Sequence, residues 1–181
     1  MSGPARARAV LAADGPDRLI LRAAVVVLGG GATTVAVIAG GTARPTGQAL
    51  LLLLTVAAAL VPDSLLPAAL TTGVVLFWGA TVPRPTGPED LLLPGVAALL
   101  LLGLQLAAAA LGVWPPGARV PPSARRRWMR HGLAIAAGTV AVTGFAAALM
   151  AARLPGDAVA SIAALVAVAG GGIAAYRLIT R

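Results

Sequence analysis

Residues 91–114 read LLLPGVAALLLLGLQLAAAALGVW, and no charged side chain interrupts this stretch. A helix rises about 1.5 Å per residue, so a helix over these residues is about 36 Å long. That length exceeds the roughly 30 Å of hydrocarbon in a bilayer, which about 20 apolar residues suffice to cross. Residues 91–114 therefore predict a transmembrane helix.

Five further apolar runs flank this stretch, separated by charged residues, prolines and short polar turns. Together the six runs predict spans at about 23–41, 46–61, 65–82, 91–114, 132–152 and 158–176. The second run is marginal in length, since about 17 residues is the lower limit for a span. We therefore expect an all-α, polytopic transmembrane helix bundle with six spans. The alternative is four spans plus a re-entrant helical hairpin over 45–83.

Arginine supplies all 14 basic residues, because lysine is absent, and most of them lie in three segments between apolar runs. The three segments are 1–22, 115–131 and 177–181. Basic segments beside spans stay on the cytoplasmic side of the membrane. Six spans place all three segments there and leave three arginines outside, namely Arg44, Arg84 and Arg153. The sequence thus predicts a cytoplasmic N-terminal segment, a membrane domain over 23–176 with a basic cytoplasmic loop, and a cytoplasmic tail. We expect a multi-pass protein of the bacterial inner membrane.

The overall composition agrees with a surface that faces lipid. Hydrophobic residues make up 59% of the chain and charged residues 11%, whereas soluble domains carry about a quarter charged residues. The net charge of +8 lies in short segments between apolar runs rather than on one soluble basic face. This distribution argues against nucleic acid as a partner.

The residue types that catalysis, cofactors and metals require are scarce in this chain. The absence of cysteine excludes thiol nucleophiles, disulfides and thiolate ligands, and the absence of lysine excludes a P-loop. The only histidine, His131, lies in a predicted loop, with no acid or second histidine at ligand spacing. We therefore expect no catalytic, cofactor-binding or metal-binding residue, and no enzymatic activity.

Asp63 is a candidate functional acid, because it is the one acid between two short apolar runs. An ionisable side chain at membrane depth is costly and commonly indicates a function. The structural alternative is that Asp63 or Ser64 caps the helix that follows, with Pro62 ending the helix before it.

A basic cluster follows the proline-rich turn after the fourth span. It consists of Arg125, Arg126, Arg127, Trp128 and Arg130. Arginines beside a tryptophan suit anionic lipid headgroups at the cytoplasmic face, at about 1 kcal/mol per basic residue. Ser123 is a plausible cap for a helix that starts here. The alternative is that the cluster only orients the protein in the membrane.

Two features predict how the helices pack. Gln105 lies near the middle of the fourth span, where we expect its amide to hydrogen-bond to a neighbouring helix. Small residues recur four apart, as at Gly29 and Thr33, and such seams let helices approach closely. The seams are explained by packing within the bundle or by homodimerisation.

Three features of the middle section carry a resemblance to other proteins: Pro62-Asp63-Ser64, Trp78 and the run from Arg125 to Trp128. In these the chain resembles uncharacterised small multi-pass membrane proteins of high-GC bacteria, some encoded near MoxR-type ATPases. The resemblance covers about half of the chain and implies an accessory role, without naming an active residue.

Together these observations predict a non-enzymatic accessory, scaffold or assembly subunit of a membrane complex. Its expected partners are the lipid bilayer and a protein of that complex. The alternative is a small permease, or the substrate-binding membrane subunit of a transporter.

Overall fold

The computed structural model describes residues 15–41, 44–114 and 121–152. These residues form five α-helices and one 3-10 turn, with no β-strand among them. The helices are α1 (Pro16–Gly40), α2 (Pro45–Leu60), α3 (Leu66–Thr81), α4 (Leu92–Val113) and α5 (Pro122–Ala151), and the 3-10 turn Pro88–Leu91 leads into α4. The predicted all-α helical bundle is confirmed.

Proline and glycine set several of the helix boundaries. Pro16, Pro45 and Pro122 each occupy the first turn of their helix, where a missing N–H costs no helical hydrogen bond. Helix α1 ends at Gly41, whose φ of 62° is left-handed and whose N–H donates to the Ile38 carbonyl. Glycine adopts this conformation without steric cost, which explains why the helix stops there.

Three described helical segments are long and apolar enough to cross a membrane: Pro16–Gly40, Pro88–Val113 and Pro122–Ala151. Helices α2 and α3 have 16 residues each, or about 24 Å, which is short of a full hydrocarbon core. The turn after Leu60 limits the length of both helices. Length and composition thus identify three spans in the described chain rather than six, and the predicted span 158–176 lies outside the described residues.

Helix α1 occupies the centre of the bundle, packed against α4 and against the α2–α3 hairpin. Gly29 marks the point where four helices meet. A Cβ added to it would lie 2.8 Å from Thr55 of α2, 2.9 Å from Leu104 of α4 and 3.1 Å from Leu70 of α3. Only glycine fits this position without moving its neighbours, so the predicted small-residue packing inside the bundle is present at Gly29.

Three polar side chains inside α1–α4, those of Gln105, Thr33 and Thr55, find partners nearby. The Gln105 amide of α4 donates to the Pro67 carbonyl at 3.1 Å and to the Thr71 hydroxyl at 2.6 Å, both on α3. The predicted hydrogen bond from Gln105 to a neighbouring helix is therefore confirmed. Thr33 and Thr55 are buried, and each hydroxyl donates to a carbonyl four residues earlier in its own helix.

Within the described chain, helix α5 lies at the periphery. It packs against α4, with Gly132 beside Leu106 and Thr143 beside Gly95, and against the 3-10 turn. None of its residues is buried by the described parts of the chain. Helices α1–α4 thus form a packed module with α5 on its outside.

Candidate functional site

One end of the bundle collects most of the described charge. Helices α1, α3 and α5 begin there, and α2 and α4 end there, so residues 16–22, 61–65, 111–114 and 122–131 form what we call the basic end. Six described arginines belong to it: Arg18, Arg22, Arg125, Arg126, Arg127 and Arg130. Arg44 and Arg84 lie at the opposite end, so the helix directions keep the two arginine groups apart.

Two of these arginines are buried rather than solvated. Arg18 is 7% exposed and Arg22 is 6% exposed, and both lie on α1. The Arg18 guanidinium donates to the Trp114 carbonyl at 2.6 Å, just beyond the end of α4. Arg22 donates to the carbonyls of Ala59 and Leu60 in the last turn of α2, at 3.0 Å for Leu60.

The partners of Arg18 and Arg22 explain how two charges remain inside the bundle. The last four carbonyls of a helix have no partner within it, and they carry the negative end of the helix dipole. A guanidinium offers five N–H donors and stays charged. Each arginine therefore neutralises a helix C-terminus and ties it to α1, Arg18 for α4 and Arg22 for α2. We call this pair the arginine latch.

The sequence analysis placed both arginines in the segment 1–22, before the first expected span at 23, and did not predict that their side chains are helical and buried. Helix α1 begins at Pro16, so both side chains belong to its first two turns. A signal was available in their spacing. The buried positions Arg18, Arg22, Val25, Gly29, Ala32 and Ala36 recur at intervals of four and three residues, which is one helix face.

Asp63 lies in the turn between α2 and α3 and is exposed. Its Oδ1 atom lies 3.0 Å from where a Cβ on Gly112 would be, so the carboxylate rests against the last turn of α4. Asp63 makes no hydrogen bond or ion pair with any described residue. Neither of the two caps considered is formed, because the N-cap of α3 is Leu65, without a side-chain capping bond. The Ser64 hydroxyl bonds within the turn instead: it accepts from the Leu66 N–H at 3.2 Å and donates to the Val61 carbonyl at 2.6 Å.

The basic cluster on α5 is helical. Helix α5 begins at Pro122, ten residues before the predicted span at 132. Residues 122–131 of the predicted loop 115–131 therefore form the first turns of α5. Arginine and alanine favour helix, and Pro122 supplies a preorganised start. Arg125, Arg126, Arg127 and Arg130 are all exposed.

Trp128 joins α5 to the rest of the basic end. Its ring lies 5.9 Å from the ring of Trp114, tilted by 56°, which is a favourable aromatic arrangement. The Trp114 carbonyl is the acceptor for Arg18, so one residue contacts both the latch and α5. The basic cluster is thereby held at a fixed place on the bundle.

His131 lies one turn beyond Arg127, and its Nδ1 is 2.7 Å from the Arg127 carbonyl oxygen. A carbonyl only accepts, so Nδ1 carries the proton and donates it. The described residues contain no group of three or more His, Asp or Glu side chains arranged to hold a metal ion.

No known protein family, curated protein or solved structure matches this chain. The functional argument therefore rests on the structure of the described residues.

Proposed function

We propose that the chain is a multi-pass protein of the bacterial inner membrane that acts as an accessory, scaffold or assembly subunit of a membrane complex. In this proposal it catalyses no reaction of its own. The packed module α1–α4 anchors it, and α5 presents a surface to a protein partner. The resemblance to small membrane proteins of high-GC bacteria points to the same class of function.

The membrane topology in this proposal keeps six spans, with the basic end and both termini in the cytoplasm. Helices α2 and α3 are short, but they run alongside the uncharged part of α1. A Cβ on Gly40 would lie 3.0 Å from the Thr81 hydroxyl at the end of α3, and Leu60 at the end of α2 is bonded to Arg22. The hairpin therefore extends from Arg22 to Gly40, which is about 27 Å along α1. This length is close to the roughly 30 Å of hydrocarbon in a bilayer. It therefore supports two membrane crossings by α2 and α3 rather than a re-entrant hairpin.

The observation that carries the assembly role is a seam of small residues on α5. Ala137, Ala141, Gly144 and Ala148 recur at intervals of four, three and four, and all are exposed within the described chain. Small side chains let two helix backbones approach closely in lipid, where helices associate by packing rather than by the hydrophobic effect. We infer that this seam receives a helix of the partner protein.

Gly144→Leu tests the assembly role, because a leucine in the seam keeps a partner helix at a distance. We expect the protein, extracted from its native membrane in mild detergent, to migrate as a discrete complex that contains a second protein. Gly144→Leu should lower the ratio of complexed to free protein about tenfold, if the seam is worth about 1.4 kcal/mol.

Gly79→Leu is the matched control, since Gly79 is exposed on α3 and an added Cβ there meets no described atom within 4 Å. This variant should leave the complex intact. A wild-type protein that runs free, or as copies of itself alone, would rule out the accessory role. Equal loss of the complex in both variants would contradict the assignment of the seam on α5 as the contact with the partner helix.

Asp63 supports the second candidate, a small permease, because its carboxylate is exposed and has no described partner. Under the accessory role Asp63→Asn should change neither the complex nor growth, and unfolding free energy should stay within about 0.5 kcal/mol. Under the permease role the charge itself is needed, so the folded variant should lose uptake. Ser64→Ala is the control for a purely structural turn, and it should cost about 1 kcal/mol through the lost hydrogen bonds of its hydroxyl. A folded Asp63→Asn protein without function would favour the permease.

A further inference from the structure

A small pocket opens at the basic end beside the contact between α4 and α5. It has a volume of about 250 Å³, and its lining residues are Leu106, Arg127, Trp128 and His131. Two of these side chains are apolar or aromatic, and the other two carry N–H donors. The pocket therefore has an apolar wall and a polar rim, as a site for an amphipathic molecule requires.

Two of the lining side chains, Leu106 and Arg127, lie at different depths. Leu106 is eight residues before Trp114 along α4, or about 12 Å further into the bundle. Trp114 marks the end of α4, where its carbonyl accepts from Arg18. Arg127 belongs to the second turn of α5 and lies closer to that end. A phospholipid standing in the adjacent leaflet has the same polarity, with its phosphate near the helix ends and its acyl chains deeper.

The polar rim has the positive charge and the N–H donors that bind an anion. Within the described residues the Arg127 guanidinium makes no hydrogen bond or ion pair. The His131 ring is fixed, because Nδ1 donates to the Arg127 carbonyl at 2.7 Å, which turns Nε2 away from the helix backbone. Helix α5 carries four arginines in its first three turns and no acid anywhere along its length. The local potential is therefore positive, and a phosphate oxygen would form charge-assisted hydrogen bonds to Arg127.

We propose that this pocket holds one anionic glycerophospholipid. The Arg127 guanidinium binds its phosphate, and one acyl chain lies along Leu106 and the Trp128 ring. The apolar wall favours a lipid over a soluble phosphate, because free phosphate gains nothing from Leu106. The site rests on the membrane orientation proposed above, and it is independent of the seam on α5.

Native mass spectrometry of the purified full-length protein tests the site, using vesicles of phosphatidylcholine with or without phosphatidylglycerol before detergent extraction. The protein should retain one phosphatidylglycerol and no phosphatidylcholine. Arg127→Gln should weaken retention at least about tenfold relative to Arg126→Gln. The two variants lose the same charge at adjacent positions, which point about 100° apart around the helix, and only Arg127 lines the pocket.

Three further outcomes decide the proposal. Equal retention in Arg126→Gln and Arg127→Gln would overturn it, because diffuse attraction to the arginines would then account for the binding. Leu106→Ala should also weaken retention of the lipid while leaving all charges in place. Unchanged retention would contradict the proposed contact between Leu106 and an acyl chain. Displacement of the lipid by excess inorganic phosphate would overturn the choice of a lipid ligand. Failure of this site would leave the complex measured with Gly144→Leu unaffected.

Discussion

Gly29→Leu should prevent the α1–α4 module from reaching its packed state. Three side chains from three other helices lie within 3.1 Å of where even a Cβ would be placed. Alanine is expected to cost about 1–2 kcal/mol as these flexible side-chain ends shift. Leucine adds three more carbons into the same space, so we expect a loss of about 3 kcal/mol or more in unfolding free energy. Thermal unfolding in detergent, followed by circular dichroism, measures the difference.

Gly30 provides a control one residue away on the same helix. An added Cβ at Gly30 meets no described atom within 4 Å. Gly30→Leu should be neutral or slightly stabilising, because leucine has the better helix propensity by somewhat under 1 kcal/mol. Equal unfolding temperatures for the Gly29 and Gly30 variants would contradict the convergence of four helices at Gly29.

Arg22→Met should destabilise the bundle by about 3 kcal/mol. Methionine keeps much of the apolar stem but removes the donors that bond the Ala59 and Leu60 carbonyls. Those carbonyls then lose partners in a buried place, and the end of α2 loses its compensating charge. Hydrogen bonds to charged groups contribute about 1.5–3 kcal/mol each, which sets the expected size. Denaturant or thermal unfolding in detergent measures the loss.

The matched substitution is Arg44→Met, which removes the same charge from an exposed residue at the start of α2. Arg44 makes no side-chain capping bond, so this variant should change unfolding free energy by less than about 0.5 kcal/mol. If both variants unfolded like the wild type, Arg22 would be a solvated charge, and the latch would be discarded.

Most of the helical layout follows directly from the positions of charge, proline and glycine. The second and third runs were expected at 46–61 and 65–82, and the helices occur at Pro45–Leu60 and Leu66–Thr81. These agree because a proline-containing turn separates two uncharged stretches. The contact of Gln105 with α3 was also predictable, since a lone amide among apolar residues needs a partner.

The arginine latch was harder to predict because the same residue type serves two purposes. Arginine beside an apolar run normally reaches the headgroups, and that interpretation suits Arg125 to Arg127, which are exposed. Arg18 and Arg22 continue the buried face of α1 instead. Their carbonyl partners lie 96 and 37 to 38 residues away in the sequence, so only the fold brings them together.

Cysteine accessibility in intact cells tests the membrane arrangement most directly, because the native chain has no cysteine. Single substitutions Thr46→Cys and Thr86→Cys, at the end opposite the basic end, should react with a membrane-impermeant thiol reagent added outside. Asp63→Cys and Ser123→Cys, at the basic end, should react only after the membrane is permeabilised. Labelling of Ser123→Cys in intact cells, or failure of Thr46→Cys and Thr86→Cys to label, would contradict the proposed crossing of the bundle with its basic end in the cytoplasm.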